Sequence, residues 1–175
     1  MPNNSPLQVE IVAEPQHASL ADLLCELHVF YNEGATPSQT AVKEHLEQNL
    51  LAPGSSQRLL VAWRGDGPVL GFAAVSLVFS LVDFAPDTRR HCQLKELYVG
   101  ASQRSQGVGR ALMAGVARYA FDHGCHRIDW PVKASNARGI LFYESLGATR
   151  VPERLSYRLT EPALGRLAGE SGSCR

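Results

Sequence analysis

The sequence lacks a net charge, since 17 lysine and arginine residues balance 17 aspartate and glutamate residues. With no overall field of one sign, the charge balance gives no reason to expect binding to nucleic acid or to an anionic membrane surface. Long apolar stretches are also missing, because no run approaches the roughly 18 residues that a transmembrane helix needs. The start, MPNNSPLQVE, has no basic region followed by an apolar one and is not expected to be a signal peptide. These absences favour a soluble cytoplasmic protein.

Cysteine is also scarce, and its spacing excludes a disulfide framework. No two cysteines form a CxxC pair, so reduced thiols are expected. The segment DHGCH brings His123, Cys125 and His126 close together, but their spacing fits no common zinc pattern. The sequence therefore predicts no metal site. The four cysteines are Cys25, Cys92, Cys125 and Cys174.

The chain length of 175 residues suits one domain with a full-sized core. Alternating and helical apolar patterns predict the order β-α-α-β-β-β-α-β-α-β, which is a mixed α/β fold. The segment Leu59–Val82 is expected to form an antiparallel hairpin, and the β-α-β stretch after Gln93 to form a parallel crossover. LSYRLT is predicted to be the last strand. We expect residues 1–165 to form the domain and residues 166–175 a flexible tail.

The segment LYVGASQRSQGVGRAL places two glycines, one residue apart, where a strand gives way to a helix. Bare backbone at a helix N-terminus can bind an anion, because unpaired N–H groups and the helix dipole point at it. The alternative, that Gly107 and Gly109 only permit a tight turn, stays open on this pattern alone. A dinucleotide fingerprint would need glycine where Leu112 stands, and no nucleotide P-loop is present.

The remaining pattern, R-x-x-G-x-G from Arg104 to Gly109, resembles the acyl-CoA-binding motif of the GNAT acetyltransferase superfamily. LKELYV resembles that family's fourth strand, which splays from its neighbour to admit pantetheine. SNARGILFYESLGAT resembles the later family motif, in which an asparagine opens a helix that ends in F-Y-x-x-x-G-A. The spelling is most similar to the branch that acetylates diamines and other small amines. The resemblance implies a single-domain GNAT fold, with a mostly antiparallel sheet and flanking helices.

The resemblance also implies which residues hold acetyl-CoA, without a metal. Main-chain groups of Leu97, Tyr98 and Val99 would bind pantetheine like an added strand. The glycine turn would cradle the pyrophosphate, and Asn136 would hold the pantetheine arm or cap its helix. The cofactor-binding residues implied are Leu97, Tyr98, Val99, Arg104, Ser105, Gln106, Gly107, Val108, Gly109, Arg110, Asn136, Ala137, Arg138, Gly139 and Tyr143.

Two residues are expected to carry the chemistry. The tyrosine of F-Y-x-x-x-G in this family protonates the leaving thiolate, and that tyrosine is Tyr143 here; a phenol is a proton donor at neutral pH. Glu96 is the nearest carboxylate on the splayed strand and could accept the proton of the amine. Strand alternation places Glu96 on one face with Leu94 and Tyr98. A core aromatic role for Tyr143 and a solvated or ion-paired Glu96 are the alternatives.

The acceptor is less clear from the sequence than the donor. The diamine branch usually has two adjacent acidic residues in a spelling like LEDLYV, whereas this chain has Lys95 and Glu96. An acidic polyamine contact in the first helix is also replaced, by Tyr31. Polyamine specificity is therefore doubtful, and a small primary amine, an amino-acid-like amine or an aminated xenobiotic is expected. Candidate acceptor residues, with surface positions as the alternative, are His28, Tyr31, Glu33 and Asp83.

The sequence thus predicts an N-acetyltransferase that transfers acetyl from acetyl-CoA to a small amine by direct attack in a ternary complex. A main-chain N–H near Val99 would polarise the thioester carbonyl. Two alternatives remain open: acetylation of a protein or peptide, and a non-catalytic acyl-CoA-sensing module. A homodimer is expected from the family resemblance alone.

Overall fold

A computed structural model describes residues 5–32 and 35–170. The chain divides into two compact units, Met1–Lys133 and Ala134–Arg175, which are described separately. The first unit contains a five-stranded sheet in the order β1 (Leu7–Ile11), β2 (Gln57–Arg64), β3 (Gly71–Phe79), β4 (Arg90–Val99) and β5 (Ile128–Asp129). None of the described helices is long and apolar enough to cross a membrane.

The sheet confirms the predicted pairing of the middle strands. β1, β2, β3 and β4 form an antiparallel meander, and β5 joins β4 in parallel. The parallel connection runs through helix α3 (Val108–Asp122). A crossover of this kind is what joins parallel neighbours, since a tight hairpin cannot.

Helices cover both faces of this sheet. Helix α1 (His17–Tyr31) packs Leu20 and Leu23 into a core with Phe72 and Tyr98. Helix α2 (Gln39–His45) begins at Ser38, whose hydroxyl accepts a hydrogen bond from the N–H of Ala41, and continues as a π-helical turn over Leu46–Leu50. These two helices match the two opening helices that the apolar spacing predicts.

The opposite face of the sheet packs against α3. Its buried side chains Leu112 and Val116 recur at helical spacing, as the sequence pattern predicts. The close approach of α3 to the sheet requires a small residue at position 71. A Cβ added to Gly71 would lie 3.1 Å from the Leu112 side chain and 3.2 Å from the Val108 side chain.

The second unit contains helices α4 (Ala137–Glu144) and α5 (Ala163–Glu170). The predicted last strand is wrong, because LSYRLT has no strand partner in the structure. The apolar residues of its alternating pattern are exposed, Leu155 by 76% and Tyr157 by 88%, so no buried face supports a strand. Residues 171–175, including Cys174, lie outside the described part of the chain. The proposed boundary at residue 165 stays a prediction.

A Gly71→Ala substitution tests this packing. The added methyl group would lie 2.7 Å from the carbonyl oxygen of Tyr98, so the backbone must shift. We expect the free energy of unfolding to fall by about 1–3 kcal/mol, as in overpacked cores. Chemical denaturation measures this change. Gly54→Ala is the matched control, since a Cβ there meets nothing within 4 Å; equal stabilities of the two variants would contradict the packing.

Candidate functional site

Strand β4 contains a β-bulge that determines which way its side chains point. Leu94 pairs with Val75 and Glu96 pairs with Ala74, so Lys95 is an extra residue without a partner in β3. Neighbouring residues of a strand face opposite sides, and directly paired residues face the same side. Leu94 therefore faces α3, whereas Glu96 faces α1. The prediction that Glu96 and Leu94 share a face is wrong, because strict alternation does not allow for the bulged residue Lys95.

The bulge places Glu96 beside the end of α1. The hydroxyl of Tyr31 donates to both carboxylate oxygens of Glu96, at 3.5 Å to Oε1 and 3.3 Å to Oε2. The Lys133 ammonium lies 5.0 Å from the centre of the Tyr31 ring. One carboxylate, one phenol and one ammonium thus form a cluster on the α1 face, and the structure brings together two of the sequence-predicted candidates, Glu96 and Tyr31.

The titration of this cluster follows from its partial burial. Burial raises the pKa of Glu96 above its ordinary value, although the Tyr31 hydrogen bond, the Leu97 backbone and the Lys133 charge each act to lower it. Burial also raises the pKa of Tyr31, with the negative charge of Glu96 and the hydrogen bond to it adding to the effect. Glu96 can therefore accept a proton more readily than an exposed carboxylate, and Tyr31 remains a hydrogen-bond donor.

The edge of β4 next to Glu96 is open within the described sheet. β5 pairs with β4 only at Cys92 and Gln93, whereas β4 continues to Val99. The backbone from Leu94 to Val99 therefore has a sheet partner on one side only. This geometry matches the expected splayed strand, and such an edge can accept another extended chain.

The glycine turn follows directly after this edge. Ser105 has φ of 63° and Gly107 has φ of 81°, so two residues of the turn are left-handed. Gly107 is the N-cap of α3, and a Cβ added to it would meet nothing within 4 Å. The space at the N-terminus of α3 is therefore open beside its first N–H groups, as an anion site at a helix N-terminus requires.

A second polar network supports the start of this turn. Glu26 accepts hydrogen bonds from the Tyr98 hydroxyl at 2.9 Å and from the N–H of Ala101 at 2.7 Å. Arg104 donates through Nε to the carbonyl of Val99 at 3.2 Å. Its guanidinium also lies over the rings of Phe30 and Tyr98, at 5.8 and 5.6 Å.

The electrostatic effect of this network falls mainly on Tyr98. Burial, and then its hydrogen bond to the Glu26 carboxylate, raise the pKa of Tyr98 to about 12. Sequence reasoning missed Glu26, although a signal existed. Glu26 is a charged residue three positions after Leu23 and four before Phe30, on the predicted apolar side of the first helix.

Two other acceptor candidates, His28 and Asp83, form hydrogen bonds with residues outside this cluster. His28 contacts Asn32, one helical turn further along α1. Asp83 accepts a hydrogen bond from Ser80 in the exposed loop after β3. Glu33 lies outside the described residues. Of the three acceptor candidates that the structure describes, only Tyr31 forms a hydrogen bond with Glu96.

In the second unit, the predicted helix cap is confirmed. The Asn136 side chain accepts a hydrogen bond from the N–H of Gly139 at 2.9 Å and so caps α4. Ala137 and Arg138 lie in the first turn of the helix. Tyr143 is half-buried near its end, with its ring 5.2 Å from the ring of Phe142.

The DHGCH segment is accounted for by ordinary packing. His123 ends α3 with its Nδ1 2.7 Å from the carbonyl of Tyr119, and His126 contacts the edge of Phe121. Cys125 is buried. No group of three or more histidine, cysteine, aspartate or glutamate side chains suited to a metal ion occurs in residues 5–32 and 35–170.

Comparison with known families identifies this architecture. The model of the Acetyltransferase (GNAT) family matches residues 20–148, most of the chain. The chain belongs to the GNAT acetyltransferase family. The expected fold and the expected class, an acyltransferase, are thereby confirmed.

Relatives of this GNAT chain modify small amines. It is 31% identical over 121 residues to a thialysine N-epsilon-acetyltransferase of Mus musculus, across 67% of this chain and 64% of the relative. It is 34% identical over 71 residues to an L-ornithine N5-acetyltransferase of Arabidopsis thaliana, across 41% of this chain and 31% of the relative. The matches therefore span less than two thirds of these relatives.

Solved structures show the same fold over nearly the whole GNAT chain. An integron cassette protein from the mobile metagenome of V. cholerae is 28% identical, with a TM-score of 0.82 over 93% of this chain and 97% of that one. An aminoglycoside N-acetyltransferase in complex with CoA is 20% identical, with a TM-score of 0.69 over 92% of this chain and 99% of that one. The latter similarity concerns the fold alone.

Proposed function

We propose that this GNAT chain transfers the acetyl group of acetyl-CoA to a primary amine of a small molecule, by direct attack within a ternary complex. The observation on which the proposal depends is the open edge of β4, which has Glu96 beside it and ends in the left-handed turn at Gly107. The thialysine and ornithine acetyltransferases among its relatives support a small amine as acceptor.

The donor would bind along backbone rather than side chains. Leu97, Tyr98 and Val99 would pair with pantetheine as an added strand, since β4 lacks a neighbour there. The turn from Ser105 to Arg110 would hold the pyrophosphate through N–H groups and the positive end of the α3 dipole. The Glu26 network would keep the entry to this turn in place, because it fixes Ala101 and Tyr98 together.

The acceptor amine would lose its proton to Glu96. An amine bound as ammonium has no lone pair for attack, so a base must take one proton before the nitrogen bonds to the carbonyl carbon. Because burial raises the pKa of Glu96, its carboxylate is better matched to this transfer than an exposed one. The Tyr31 hydroxyl would hold the carboxylate in position throughout.

Tyr143 would supply the proton that the leaving sulfur requires. As the carbon–sulfur bond breaks, the electron pair goes to sulfur and the phenol protonates the thiolate. The support for this role is the F-Y-x-x-x-G-A spelling around Tyr143 at the end of a capped helix. The nitrogen loses its second proton as the amide forms, which balances the proton that the phenol gives to sulfur, and the proton on Glu96 leaves to solvent. Acetyl-CoA contributes the activated thioester, and the chain contributes orientation and the groups that exchange protons.

A Gly109→Asp substitution tests the proposed donor site. It adds bulk and negative charge in the first turn of α3, where the pyrophosphate would lie. We expect the affinity for CoA in calorimetry to fall by about a hundredfold or more, because like charges would face each other. Gly54→Asp is the control, as that site is open and away from the turn. Unchanged CoA affinity of Gly109→Asp would overturn the proposed cradle.

A Tyr143→Phe substitution, assayed by thiol release with a panel of amines, tests the reaction. We expect the wild type to turn over small amines and the variant to lose kcat by about a hundredfold, with CoA affinity kept. Tyr157→Phe is the control, since Tyr157 is 88% exposed in the same unit. Unchanged kcat would remove Tyr143 as the acid. Tight CoA binding without turnover of any amine would instead favour an acyl-CoA-sensing module.

The cytoplasmic location and the homodimer stay predictions from the sequence and the family resemblance. The same is true of the absence of nucleic-acid and membrane partners.

A further inference from the structure

We infer that Lys133 selects an acceptor that carries a carboxylate as well as the reacting amine, an amino acid rather than a diamine. This inference rests on the proposed function and narrows its substrate class. It depends on the juxtaposition of Lys133 with the Tyr31–Glu96 pair, in which the ammonium lies 5.0 Å from the Tyr31 ring centre and the hydroxyl of that ring contacts Glu96.

Other charged residues on α1, on β4 and next to β5 already have partners. Glu26 is held by Tyr98 and Ala101. Lys95 donates to the side chain of Gln93 at 2.9 Å, and Arg127 pairs with Asp129 at 3.0 Å. Because these groups have partners, they offer little to a ligand.

Lys133 differs from these charged residues. It forms no ion pair within 4.0 Å with a carboxylate of the described residues, and its side chain is exposed next to the Tyr31 ring. Its charge nevertheless reaches the Glu96 carboxylate, whose pKa it lowers. An exposed ammonium close to the base is therefore available to a bound acceptor.

The charges of Glu96 and Lys133 would distinguish acceptors by the second functional group that each acceptor carries. The reacting amine of any acceptor would approach Glu96, which takes its proton. A diamine would then bring a second ammonium into the field of Lys133, and like charges at short range repel each other. An amino acid would bring a carboxylate instead, which an ammonium binds by a charge-assisted hydrogen bond.

The amine and the carboxylate of the acceptor would bind at two different groups. The Tyr31 hydroxyl contacts Glu96, the Lys133 ammonium lies over the face of the same ring, and no ion pair within 4.0 Å joins Lys133 to Glu96. An amino acid with a terminal amine on its side chain can reach both groups, because several bonds separate its reacting nitrogen from its carboxylate.

Paired substrates that differ only in the carboxylate test the inference. L-ornithine and putrescine form one such pair, and L-lysine and cadaverine form another. We expect wild-type kcat/KM to be at least about tenfold higher for the amino acid in each pair, given the strength of a hydrogen bond between charged groups. In Lys133→Met the ratio of kcat/KM for the amino acid to that for the diamine should fall by about that factor, whereas any change in the pKa of Glu96 would affect both members of a pair.

Matched variants separate a charge effect from a folding effect. Lys133→Arg should keep the preference, Lys133→Glu should reverse it towards diamines, and Lys43→Met, on α2, should leave it unaltered. Equal efficiency for both members of each pair in the wild type, or a preference that survives in Lys133→Met, would overturn the inference.

Equilibrium binding distinguishes this inference from the proposed function. Calorimetry with L-ornithine in the presence of CoA should show affinity in the wild type and about a tenfold loss in Lys133→Met. If no amine is acetylated, the proposed function fails, and this binding comparison still decides the role of Lys133. Equal ornithine affinity in the two proteins would contradict that role.

Discussion

The β-bulge at Lys95 is the constraint on which the site depends. If Lys95 were paired regularly instead of bulged, alternation along β4 would turn the Glu96 side chain to the α3 face, with Leu94 still paired to Val75. With it, Glu96 faces α1 and meets the hydroxyl of Tyr31, while the strand beyond continues to Val99 without β5 alongside. Bulges commonly re-aim a side chain next to active sites, and this one also coincides with the point where parallel pairing stops.

Two polar networks lie along β4, one assigned to the acceptor and the other to the donor. The Glu96–Tyr31–Lys133 cluster lies beside the open edge, and we assign it to the acceptor amine. The network of Glu26, Tyr98 and Arg104 lies further along, where the strand passes into the glycine turn assigned to the donor. Both networks draw on the last two turns of α1. The packing of that helix against β4 therefore links the two halves of the proposed reaction.

Much of this could be predicted from the sequence, because the strongest signals are local. The glycine turn, the Asn136 cap and the helices on both sides follow from residue types at short spacing. The bulge could not be predicted from alternation, since Leu94, Glu96 and Tyr98 fit an unbroken strand equally well. The role of Lys133 could not be predicted either, because Lys133 follows the end of β5 and comes close to Tyr31 only in the folded chain. The LSYRLT strand was wrong because alternation alone provides no partner strand.

The pH dependence of kcat in a Glu96→Gln variant tests the central claim most directly. Because burial raises the pKa of Glu96 above its ordinary value, the wild-type rate should fall as pH drops through that raised pKa. The amide keeps the size of the side chain but accepts no proton, so kcat at neutral pH should drop by about a hundredfold. That loss should shrink as pH rises towards the amine pKa of about 10, where the acceptor deprotonates unaided. Wild-type kcat in the variant, or an equal loss at every pH, would contradict Glu96 as the base.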